Sequence, residues 1–192
     1  AFISVAPWFL FFVAIEHLGK TELAISNITR SVSAIFFVIA NSFAVTTSSL
    51  VSNAIGARAR NELFPICHKV LKLGYAVGIP FVVVALLCNR WIVSFYTDNE
   101  LLIELAFAPF VVMLLNYTFA LPGYVYLNAV GGTGKTKITF LFQVTTTCVY
   151  LVYLYWLSFC IKASLSLYLT AEYLFVILLA LQSIIHLKSK HY

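Results

Sequence analysis

Apolar positions fill the chain in long unbroken runs, and the polar positions between them mark where elements end. Residues 1–15 carry no charge, and Glu16, Lys20 and Glu22 follow as a polar turn. Residues 31–57 are again free of charge, until Arg58, Arg60, Glu62, Lys69 and Lys72. A third run, 73–89, closes at Arg90 and then Asp98, Glu100 and Glu104, and a fourth, 105–134, at Lys135 and Lys137. The fifth, 138–161, ends at Lys162; the sixth, 163–187, carries the single charge Glu172 and ends at Lys188 and Lys190. A helix needs about 20 apolar residues to cross a bilayer, and every run but the first meets or approaches that length. The pattern predicts an all-α membrane protein with about six transmembrane helices, over roughly 1–18, 23–56, 68–96, 101–130, 137–161 and 164–187. The runs do not alternate, so a transmembrane barrel is not expected.

Composition agrees. Of 192 residues, 62% are hydrophobic and 10% charged, too few charges to clothe a water-facing surface, which excludes a soluble enzyme and equally a disordered chain. The net charge of +5 matters less than its placement. Assigned alternately to two sides, the connections put Arg58, Arg60, Lys69, Lys72, Lys135, Lys137, Lys188 and Lys190 together with only Glu62 among the acids. By the positive-inside rule this side is cytoplasmic, as are both ends of the chain, which fits a bacterial inner membrane. Trp91, Tyr96, Tyr150, Tyr153, Tyr155, Trp156, Tyr168 and Tyr173 then fall at the outer boundary, where amphipathic rings settle. No basic residue precedes the first run and no small-residue cleavage site follows it, so it does not read as a signal peptide, and the chain is expected to be a piece of a longer protein.

The second run is long and unusually polar, with Asn27, Arg30, Asn41, Thr46, Thr47, Ser48, Ser49, Ser52 and Asn53 in apolar surroundings. Ala40, Ala44, Ser48, Ser52 and Gly56 recur every four residues and line one face with small side chains, a seam for close helix packing. Gly74, Gly78 and Pro80 interrupt the third run, and Pro109, Pro122 and Gly123 the fourth. Broken backbone at membrane depth belongs where protein or a cavity covers it. Pro122 and Gly123 are the hinge candidates, because Asn116, Tyr117, Tyr124, Tyr126 and Asn128 surround them. Ionisable side chains in hydrocarbon are candidates for function. Glu16, Arg30 and Glu172 qualify; the two acids reach the outer interface or serve coupling, and Arg30 is placed to pair with either.

Gly131, Gly132, Thr133, Gly134, Lys135 and Thr136 imitate a phosphate loop, but Ala129 stands where its first glycine is required and an apolar helix precedes it, so no nucleotide is expected. A turn between two helices accounts for the glycines. Cys67, Cys88, Cys148 and Cys160 lack metal-ligand or redox spacing and read as small apolar fillers. His17, His68, His186 and His191 sit near helix ends. Nothing points to catalysis, a metal, a cofactor or nucleic acid.

Residues 22–63, ELAISNITRSVSAIFFVIANSFAVTTSSLVSNAIGARARNEL, resemble the eighth helix and following turn of the multidrug and toxic compound extrusion (MATE) transporters, and NAVGGTGKTK, 128–137, resembles the junction between their tenth and eleventh helices. The resemblance implies the C-terminal lobe of a twelve-helix secondary transporter, paired with an N-terminal six-helix lobe in the lipid bilayer. It implies export of organic cations by alternating access, coupled to Na+ or H+. Carboxylates that one branch of the family carries in its seventh and tenth helices fall near Ser4 and Ala120 here, so coupling passes to the other lobe or to Glu16 and Glu172. Asn41, Asn116, Tyr117, Tyr124 and Asn128 are the candidates for the substrate and ion pathway, the tyrosine faces attracting cations if they do not merely pack. A flippase for lipid-linked saccharides, which would want a strongly cationic cavity, and a non-transporting membrane scaffold are the alternatives.

Overall fold

The computed structural model describes residues 2–161 and 163–189, with side chains from Phe9 onward apart from those of 17, 160 and 161. Ser4, His17, Cys160, Lys162, Lys190 and His191 therefore lie outside the described side chains. Among the described residues eight helices follow in order: α1 (Phe2–Ile15), α2 (Lys20–Gly56), α3 (Leu63–Leu87), α4 (Asn89–Ser94), α5 (Glu100–Leu115), α6 (Tyr117–Gly132), α7 (Thr136–Trp156) and α8 (Leu165–Ser189). Single 3-10 turns at Glu16–Leu18 and Arg60–Glu62 and a π turn at Leu157–Ile161 complete the path, and no strand occurs among the described residues. The all-α reading holds. Five segments are long and apolar enough to cross a membrane: Lys20–Gly56, Arg60–Leu87, Glu100–Gly132, Thr136–Phe159 and Leu165–Ser189. With 14 residues, α1 is shorter than a crossing.

Boundaries follow local chemistry. Asn99 caps α5, its side chain accepting from the amides of Leu101 at 3.0 Å and Leu102 at 3.4 Å. Gly134 adopts a left-handed φ of 85° between α6 and α7, a conformation that L side chains resist. The third run breaks at Cys88 into α3 and α4, and the fourth breaks at Asn116, six residues ahead of Pro122. At 37 residues α2 is roughly 55 Å long. That exceeds the roughly 30 Å of hydrocarbon, so α2 must tilt or emerge from the bilayer.

The small-residue stripe is the main seam. α2 makes its most extensive contact with α6. Ala40 and Ala44 are fully buried, and Ser52 donates its hydroxyl to the Gly132 carbonyl at 2.8 Å. A Cβ added at Gly132 would stand 2.5 Å from the Ser48 carbonyl oxygen. So Gly131 and Gly132, which imitate a phosphate loop in sequence, end a helix, and Gly132 allows it to touch α2. Gly56 closes the stripe in sequence but is exposed, with nothing near it. On the opposite side α6 lies against α8, where a Cβ at Gly123 would meet the Val176 carbonyl oxygen at 2.7 Å. α6 is thus the buried axis of the bundle; α3 and α5 flank it, and α1 packs on α7.

Two differences from the sequence reading concern side chains. Tyr150 and Tyr168, expected at the membrane boundary, are fully buried, whereas Trp91, Tyr96, Tyr155 and Trp156 face outward. Each buried ring has found a polar partner inside the protein, and that replaces the interface: Tyr168 donates to Ser158 Oγ at 3.0 Å. Of the cysteines, Cys67 is a buried filler, but Cys88 and Cys148 are exposed on the lobe surface.

Gly132→Ala will destabilise the protein. Overpacking against the Ser48 backbone costs about 1–3 kcal/mol, which exceeds the ~0.5–1 kcal/mol that replacing a helical glycine returns. Gly56→Ala, in open space, will leave the melting temperature unchanged or raise it slightly. Thermal unfolding of the two purified variants in detergent decides the sign.

Candidate functional site

The break at Asn116 is built from the sequence around it. A proline lacks the amide that a helix needs, so Pro122 leaves the Thr118 carbonyl without its usual donor. Tyr75 on α3 supplies one, its hydroxyl donating to Thr118 O at 2.7 Å. Tyr117 returns the gesture and donates to the Gly74 carbonyl at 2.8 Å. Its ring lies across Gly78, where any Cβ would collide with the phenol. Tyr173 on α8 donates to the Val112 carbonyl, just before the break. Pro122 and Gly123, the hinge candidates, therefore sit in a helix clasped by α3 and pressed on α8.

Arg30 lies about 15 Å along α2 by helical rise, and its Nη2 donates to Glu172 Oε1 of α8 at 2.6 Å. The side chains are 2% and 15% exposed. The sequence leaves Arg30 between two acids; it pairs with Glu172, and Glu16 is exposed in the turn after α1. Tyr150 of α7 approaches the same carboxylate oxygen at 3.3 Å. Beneath the guanidinium lies the Phe11 ring, its centroid 3.9 Å from Cζ, with Phe12 at 5.5 Å. Four helices thus meet at one buried charge pair, with a cation–π contact as its floor.

Beside the pair is a cavity of about 50 Å³ lined by Ser33, Phe36, Phe37, Met113, Asn116, Tyr117, Ala120, Tyr124 and Glu172. It has room for a water or a small ion and no room for a drug. Asn116, Tyr117, Tyr124 and Glu172, four of the sequence candidates, converge here. Asn116 is buried, and its Oδ1 receives no hydrogen bond. The ring of Tyr124 meets Phe37 edge to face, with centroids 5.4 Å apart.

The remaining candidates lie elsewhere. Asn128 turns back along its own helix, Nδ2 donating to the Tyr124 carbonyl at 3.0 Å. Asn41 is exposed on the outward face of α2, in a stripe with Asn27, Ser31, Ser42, Thr46, Ser49 and Asn53. Sequence reasoning missed Ser33, Phe36 and Phe37 as cavity walls, although their i, i+3, i+4 spacing puts them on one helix face. It also missed Tyr150 as a ligand of Glu172. A larger apolar groove, about 690 Å³ in volume, runs between α2, α3 and α4 past Ile35, Phe36, Ile39, Phe81, Phe95 and Tyr96. Phe36 is a wall of both spaces.

The MatE family model matches residues 3–157, most of the chain. The chain belongs to the MatE family. Two solved structures share the fold of this MatE chain. One is described as "Crystal structure of MATE in the bent conformation" (TM-score 0.81, 18% identity, covering 95% of this chain and 41% of that one). The other is "Inward-facing conformation of a multidrug resistance MATE family transporter of the MOP superfamily" (TM-score 0.85, 19% identity, 98% and 43%). The MatE chain therefore spans less than half the length of these structures. No curated protein matches it.

In this MatE lobe the charge pair has a distinct mutational signature. Arg30→Gln alone or Glu172→Gln alone strands a buried charge and will cost about 3–5 kcal/mol, whereas the double substitution leaves none and will cost far less than the sum. Melting the three variants against wild type gives the coupling; additive losses would mean that the two charges do not interact.

Proposed function

We infer that this chain is the C-terminal half of a cation-coupled multidrug exporter rather than an enzyme, and that its substrate path runs along the outward face of α2. One observation carries the reading. Asn41, near the middle of α2, is exposed between Val38 and Val45 and bears an amide that lipid cannot hydrogen-bond. Such a face calls for water or a second protein lobe beside it. An N-terminal six-helix lobe facing α2 would enclose a wet cleft between two halves, which is where alternating-access transporters hold their cargo. Membership of the MatE family and the described function of one structural neighbour support the same reading.

Cargo chemistry follows from the two spaces beside the stripe. The cavity at Glu172 is too small for a drug, whereas the apolar groove matches the volume of drug-sized sites. An amphipathic organic cation fits this arrangement, with its apolar body along Phe81, Phe95 and Phe36 and its charged end in the wet cleft. Coupling to Na+ or H+ is assigned to carboxylates of the other lobe. The basic turns after α2 and α6 face the cytoplasm, so cargo leaves by the opposite side.

Full-length protein in liposomes loaded with a fluorescent organic cation tests this. Efflux will follow an imposed sodium or proton gradient, and Asn41→Leu will slow it at least several-fold without loss of protein from the membrane. Efflux indifferent to both gradients would remove coupling. An unchanged rate in Asn41→Leu would move the path away from α2.

A further inference from the structure

Glu172 lines the cavity beside an unsatisfied acceptor, yet a cation already stands on its carboxylate. We propose that Glu172, Asn116 and Tyr124 form a masked site for a small monovalent metal cation, and that Arg30 is a built-in cation which occupies that site's carboxylate in place of a mobile ion.

Donor chemistry comes first. A carboxylate, an amide oxygen and a phenol oxygen are hard oxygen ligands of the kind that bind non-transition cations. Asn116 is 8% exposed, lines the cavity, and holds an Oδ1 that no protein donor reaches. No donor among the described residues takes up that acceptor. The volume of about 50 Å³ has room for a small ion or a water.

Charge then decides the occupant. Glu172 contributes one negative charge and Arg30 one positive, and the pair closes at 2.6 Å. A second cation entering beside them would leave a net positive charge buried in the membrane, an expensive state. While Arg30 is in place the site is closed to mobile cations. Without Arg30, the carboxylate is an uncompensated charge next to two further oxygens, and a cation of the right size repairs the deficit. Arg30 also joins α2 to α8 through this carboxylate.

This goes beyond the transport reading and stands without it, because occupancy is read from stability and not from efflux. Full-length wild type, Arg30→Gln and Arg30→Gln/Glu172→Gln are reconstituted in lipid nanodiscs. Each is melted in lithium, sodium, potassium or N-methylglucamine chloride at one ionic strength, and across pH. Arg30→Gln will gain several degrees in at least one alkali chloride, beyond any wild-type response, and the double variant will lose that gain. Equal responses in Arg30→Gln and the double variant overturn the site. So does a gain on acidification with none from any alkali ion, which leaves an ordinary carboxylic acid. A wild-type sodium response abolished by Glu172→Gln overturns the masking, since the carboxylate would then take a mobile ion with Arg30 present. Should Arg30→Gln not accumulate, Arg30→His carries the test, because its charge is present in acid and absent in alkali. Sodium will then stabilise it at alkaline pH and not at acid pH, and indifference to sodium at both overturns the proposal.

Discussion

A helix that bends inside a membrane frees carbonyls that hydrocarbon cannot satisfy, and the rest of the bundle is arranged around meeting that need. Pro122 deprives Thr118 of its donor, and Tyr75 crosses from α3 to provide one. Tyr117 reaches back to Gly74, and Tyr173 to Val112. Each bond ties a neighbour to the region of the break, so the irregularity at Asn116 is held by three tyrosines from three helices. Glycines make room for them: Gly78 clears the Tyr117 ring, and Gly123 brings the α8 backbone within contact. The same geometry turns Asn116 inward with an unused oxygen. A strained-looking stretch of sequence is thereby a fixed wall of the cavity.

Read outward, the constraint separates two kinds of polar side chain on α2. Ser42 and Thr46 return their hydroxyls to carbonyls of their own helix, at 2.8 and 2.9 Å, and so tolerate an apolar neighbour. An asparagine amide has two donors and an acceptor and cannot be satisfied that way along a single helix. Asn41, exposed between Val38 and Val45, is left with an amide that its own helix does not satisfy. The buried face of the same helix is built of alanine and serine and lies so close to α6 that Ser52 bonds the Gly132 backbone. α2 thus has a tight seam on one side and an exposed face of mixed polar and apolar side chains on the other.

Much of this was legible before any coordinates. Charge-free runs marked the helices, because hydrocarbon imposes a length that composition must obey, and the four-residue spacing of Ala40, Ala44, Ser48 and Ser52 foretold a packing seam. The break was misplaced for a physical reason: proline advertises a missing donor, but the chain yields nearby, where Asn116 tolerates the irregular backbone. The burial of Tyr150 and Tyr168 was not legible because a phenol near a helix end meets its need equally well at an interface or on a buried partner, and only the fold decides which. The partner of Arg30 was undetermined because 142 residues separate it from Glu172 and periodicity carries no information across that gap. Convergence of Asn116, Tyr117, Tyr124 and Glu172 on one cavity needed the packing of α2, α5, α6 and α8 together.

The charge pair is not explained by stability alone. Apolar side chains of equal volume would join α2 to α8 as well or better, since desolvating two ions consumes most of what their attraction returns. What charge adds is an asymmetry between making and breaking: once formed, the pair resists separation, because each partner would be left uncompensated in a low-dielectric interior. Phe11 beneath the guanidinium and Tyr150 on the carboxylate extend that resistance to α1 and α7. The four helices are therefore tied together at one buried point.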